Sequence, residues 1–78
     1  MPTVARIGPF RLFFYAGDLH EPVHVHEERD DKVAKFWLDP VPLARSGGFS
    51  RPELPRIQAV VRENEDRIIE EWNAYFCN

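Results

Sequence analysis

Three histidines fall within seven residues of this 78-residue chain, at His20, His24 and His26, and the chain has no other. In His24-Val25-His26 the two imidazoles stand at i and i+2. Alternate side chains of an extended strand share a face, so the rings project together from Cα atoms about 6–7 Å apart. That separation suits two ligands of one metal ion. Glu28 continues the same parity and offers a third ligand, and His20 offers another if the chain bends at Pro22. Glu21, Glu27 and Asp39 are spare carboxylates nearby. Imidazole with carboxylate suits a divalent transition metal such as zinc, iron, manganese or nickel, without choosing among them.

The same residues permit metal-free chemistry. Imidazole titrates near neutrality, so His24 and His26 can serve as an acid–base pair on a phosphodiester, with Arg11, Arg29 or Arg45 holding the phosphate. A solvated polar strand face and a partner interface are the plainer alternatives, because histidine and glutamate both suit water. The three alternating histidines of histidine-triad nucleotide hydrolases are not met, since Glu28 stands in the third place. The second half of a cupin pattern is absent as well.

These residues need a strand to hold them. Val23 and Val25 take the parity opposite to His24 and His26, so the valines are expected to face the core and the histidines to project away from it and from the helix. Upstream, residues 3–7 are β-prone, and Gly8-Pro9 marks a turn. Residues 10–16 are apolar on both parities, Phe10, Leu12 and Phe14 on one and Phe13 and Tyr15 on the other, which predicts a strand covered on both sides. Residues 29–32 form a polar hairpin turn into a strand over 33–38. Asp39-Pro40-Val41-Pro42 stops that strand, and residues 43–45 resume as a short edge strand.

The remainder predicts one helix. Ser50-Arg51-Pro52-Glu53 has the form of a capping box, in which the Ser50 hydroxyl takes the N3 amide and Glu53 reaches back. Ile57, Val61, Asn64, Ile68, Trp72 and Tyr75 recur at spacings of 4, 3, 4, 4 and 3, the stripe of a helix facing a core. Run to Phe76 without a break, that helix is about 36 Å long. The expected fold is α+β: a small antiparallel sheet of three to five strands on one long C-terminal helix. It is one domain, with the sheet over 3–45 and the helix over 51–76.

Composition narrows the function classes. Hydrophobic residues make up 44% and charged residues 29%, so the chain is globular in character and not disordered. Its length excludes dinucleotide-binding and eight-stranded barrel folds. A net charge of −3 disfavours non-specific nucleic-acid binding, leaving only a local basic groove open. The longest apolar run, residues 12–16, is far too short to span a membrane. The single cysteine, Cys77, forms no internal disulfide, so a reducing cytoplasm is the expected compartment. A homodimer is left open.

Several segments together carry a resemblance. Gly8-Pro9-Phe10 with the aromatics to Tyr15, Glu21-Pro22-Val23-His24-Val25-His26, Ala34-Lys35-Phe36-Trp37-Leu38, Ser46-Gly47-Gly48-Phe49 and Trp72-Asn73-Ala74-Tyr75-Phe76 are similar to the small bacterial family catalogued as domain of unknown function 4160. Val23 and Glu27 depart from it, where a proline and a small apolar residue are expected. The family carries no assigned activity. What the resemblance implies is a partner, since its members look like one half of a two-gene pair with another small protein, in toxin–antitoxin style. A small cognate protein is therefore the expected partner. A metal-binding protein or a histidine-dependent hydrolase or ribonuclease, built on His24 and His26 with Arg45, is the alternative.

Overall fold

A computed structural model describes residues 3–76; Cys77 and the expectation attached to it lie outside them. Five strands, β1 (Thr3–Ile7), β2 (Phe10–Phe13), β3 (His24–Arg29), β4 (Lys32–Trp37) and β5 (Leu43–Arg45), form one antiparallel sheet in sequential order. Two helices follow, α1 (Leu54–Glu63) and α2 (Glu65–Phe76). The fold is α+β, as expected. No helix among the described residues is long and apolar enough to cross a membrane.

Two hairpins set the sheet. β1 and β2 are joined by Gly8-Pro9, with Gly8 at φ 56°, and β3 and β4 by Asp30-Asp31, with Asp30 at φ 57°. A left-handed first residue in a two-residue loop matches the twist of the flanking strands. Gly47 answers a different constraint. Its carbonyl accepts from the Val33 amide at 3.3 Å, and a Cβ there would lie 1.7 Å from the Val33 carbonyl oxygen. Only glycine lets the loop after β5 lie this close to the start of β4.

The core lies between the helices and one face of the sheet. Leu12, Val25, Ala34 and Phe36 come from the strands and Ile57, Val61, Ile68 and Trp72 from the helices, all buried. The helical stripe thus packs as its spacing predicts, with two departures. Tyr75 is exposed, lying edge-on to Phe14 and Phe76 at the rim. Asn64 divides the expected single helix. It sits at φ −114°, its Nδ2 donates to the Val60 carbonyl at 2.8 Å, and α2 begins at the next residue. A short amide side chain that bonds nearby backbone competes with the helical ladder.

The helix start has the expected capping box, set on a 3-10 turn, Arg51–Glu53, that leads into α1. Glu53 does reach back, accepting from the Ser50 amide at 2.8 Å. The Ser50 hydroxyl also donates to the same carboxylate at 3.0 Å, and the Glu53 amide donates to the Ser50 carbonyl as well. Arg29 adds a charged bond at 2.5 Å. The Ser50 amide, Arg29 and the Ser50 hydroxyl hold the Glu53 carboxyl down at about 2.

Among the described residues, Glu27 is the core position filled against type. In the sheet it lies between Leu12 and Ala34, all three with no exposed surface. Neither carboxyl oxygen has a hydrogen-bond partner. Burial pushes this carboxyl up to about 8 from 4.5. The unfolded chain therefore releases the proton first as pH rises, and stability falls across that interval by about 1.4 kcal/mol per pH unit. The deficit reaches about 3 kcal/mol at pH 7. Glu27→Leu should raise stability by about that amount at pH 7 and remove the slope. Urea denaturation at pH 5 and pH 8 checks this, and a variant that tracks the wild type at both values contradicts it.

Candidate histidine–aspartate site

The register of β3 decides where its side chains go. Val25 and Glu27 point into the core, while His24, His26 and Glu28 occupy the other face of the sheet. There, one row crosses all five strands: Thr3 opposite Phe13, Phe13 opposite His26, His26 opposite Lys35, and Lys35 opposite Arg45. His24 stands opposite Trp37 at the strand end.

This face is not open at His24. The chain between β2 and β3 folds back over the strand end through a 3-10 turn, Ala16–His20, followed by a bend. The His24 ring packs edge-on to Trp37 at 5.7 Å and to Trp72 of α2 at 5.2 Å. The expectation that both histidines turn away from the helix is therefore corrected for His24, which is buried against it. His24 projects with His26, but α2 reaches past the sheet far enough to seal it, and its side chain is 1% exposed. His26 is more accessible, stacked on Phe13 at 5.2 Å and edge-on to Tyr15 at 4.8 Å.

Asp18 joins the two rings. Its Oδ2 lies 3.0 Å from His24 Nε2 and 3.2 Å from His26 Nε2. The Tyr15 amide donates to the same oxygen at 2.8 Å and fixes the carboxylate in the turn. The contact with His26 is a hydrogen bond. The one with His24 is close but misaligned, and His24 Nε2 has no hydrogen-bond partner. On its other side, His24 Nδ1 donates to the Pro22 carbonyl at 2.9 Å.

The electrostatics follow from these contacts. Burial acts to raise the Asp18 carboxyl, but the Tyr15 amide, His24 and His26 outweigh it and hold it below the usual range. Burial lowers His26 despite its bond to Asp18. Glu21 is also held low, chiefly by its hydrogen bond from Lys35 Nζ, which sits over the Trp37 ring.

Of the residues singled out from sequence, His24 and His26 come together. His20 ends the 3-10 turn and is exposed, outside the cluster. Glu28 is also outside it, accepting from Arg11 Nε at 2.9 Å. Arg29 turns to the helix side and binds Glu53. Arg45 is exposed on β5, two strands from His26 in the shared row. Asp18 is not among the residues singled out from sequence, because it lies in a turn outside the strand pattern. Its signal was an acidic residue three places after Tyr15, a spacing at which a side chain caps a turn. Among the described residues, Asp18, His24 and His26 form the set whose ligand atoms all lie within 4.8 Å of one another.

A family model described as a domain of unknown function (DUF4160) matches residues 10–73. The chain belongs to that family. The match takes in Asp18, both clustered histidines and Trp72, so the whole site of this DUF4160 protein lies within it. No curated protein and no solved structure matches the chain.

Asp18→Ala removes the acceptor for the Tyr15 amide. The turn should weaken by about 0.5–2 kcal/mol, the usual cost of a lost capping side chain. Hydrogen exchange at the Tyr15 amide should accelerate accordingly, and unchanged protection there contradicts the anchoring role.

Proposed function

We propose that this DUF4160 protein is one component of a toxin–antitoxin-like pair, and that it binds a small cognate protein over the face where Asp18, His24 and His26 converge. The observation that carries this reading is the rim of that cluster. Tyr15 and Leu19 are 45% and 53% exposed and flank Asp18 within four residues of chain. Large side chains left in water beside a cluster of partly buried polar groups suit an interface centre, where an aromatic anchor contributes most of the affinity. The net charge of −3 favours a protein partner over a nucleic-acid backbone.

One observation favours a second reading, a histidine-dependent hydrolase or ribonuclease. Lys35 stands opposite His26 in the sheet, with Arg45 one strand further along the same row, which places one cation beside an acid–base group.

Co-expression with the product of the adjacent gene separates the two. The pair should co-purify, and Tyr15→Ser with Leu19→Ser should weaken binding about tenfold or more while leaving the fold intact. Unchanged affinity in the double variant contradicts the docking face. Phosphodiester cleavage that depends on His26 and persists without the partner supports the second reading instead.

A further inference from the structure

We infer that Asp18, His24 and His26 bind one divalent transition-metal ion, with one side left for water or an external ligand. The Pro22 carbonyl can only accept a hydrogen bond, so the His24 Nδ1 atom 2.9 Å away carries the proton. Nε2 of the same ring is thereby aimed at the cluster. That atom is sealed from water, has no hydrogen-bond partner, and lies 3.0 Å from a carboxylate oxygen that is itself an acceptor. A ring nitrogen and a carboxylate oxygen held this close in a sealed setting, with no hydrogen bond between them, are placed to share one cation.

The surrounding contacts have the form of a metal site. A backbone carbonyl holding the far nitrogen of His24 is the outer support that orients a ligating imidazole. Asp18 is fixed by the Tyr15 amide, and His26 brings its Nε2 to the same carboxylate from the neighbouring position of the face. All three ligand atoms fall within 4.8 Å of one another. Two imidazole nitrogens and one carboxylate oxygen suit a zinc-like ion, and three protein ligands leave a fourth position free. The accessible side is that of Asp18 and His26, whose side chains are 16% and 12% exposed. Glu21 does not complete the set, because Lys35 holds its carboxylate.

The inference is independent of the partner reading, since it concerns the isolated chain. The test uses untagged protein stripped with a chelator and titrated with Zn2+ and Co2+ by calorimetry and thermal denaturation. The site predicts uptake of one equivalent and a midpoint that rises with free metal. It also predicts a Co2+ visible spectrum of low coordination number. Asp18→Asn and His26→Gln, both at partly exposed positions, should weaken binding about tenfold or more. His20→Gln and Glu28→Gln should bind as the wild type does. Substoichiometric uptake by the wild type overturns the site, as does wild-type affinity in Asp18→Asn or His26→Gln. Equal loss in His20→Gln overturns it too. Failure of partner binding with metal uptake intact leaves this site standing, and the converse leaves the docking face standing.

Discussion

The Asp18 carboxylate ties together the Tyr15 amide and the two imidazoles of β3. One oxygen thereby closes the segment between β2 and β3 over the end of the sheet. The other features of the face depend on that closure. With the segment in place, Pro22 brings its carbonyl to His24, Glu21 meets Lys35, and Tyr15 turns its edge to His26. α2 supplies the last wall through Trp72, which touches both Phe14 of the core and His24 of the outer face. The helix is therefore part of the site as well as the cover of the core.

The pleat of β3 imposes the opposite demand. A strand that sends His24, His26 and Glu28 outward must send Val25, Glu27 and Arg29 inward. Val25 packs in the core. Arg29 reaches the edge of that face and finds Glu53, with its guanidinium 5.2 Å from the Phe49 ring. Glu27, at the centre, reaches neither water nor a partner. It stays folded by keeping its proton, so a stability deficit is built into the strand that carries the site.

Local signals in the sequence revealed most of the fold. Gly8-Pro9 and the Asp30-Asp31 pair marked the hairpins because two-residue turns need particular backbone angles. The stripe from Ile57 to Trp72 marked the helical face because burial follows the helical period. Asn64 was visible as a polar break in that stripe, but whether its amide would bond across the core or back to Val60 depends on packing. The outward pairing of His24 and His26 followed from parity alone. Three features of the site did not. His20 and Glu28 belong to the parity of an ideal strand, yet His20 falls in the 3-10 turn and Glu28 is held by Arg11, a residue of another strand. Burial of His24 depends on Trp72, 48 residues away in the chain. Asp18 enters by the fold of a loop, to which strand periodicity is blind.

The account rests on the protonation pattern of the Asp18, His24 and His26 unit. Long-range 1H–15N correlation spectra of the imidazole nitrogens, recorded on metal-free protein before and after one equivalent of Zn2+, read that pattern directly. The account predicts that metal-free His24 carries its proton on Nδ1. It further predicts that added Zn2+ shifts Nε2 of both His24 and His26 together while His20 stays unchanged. A His24 ring protonated only on Nε2, or Zn2+ shifts confined to His20, would contradict it.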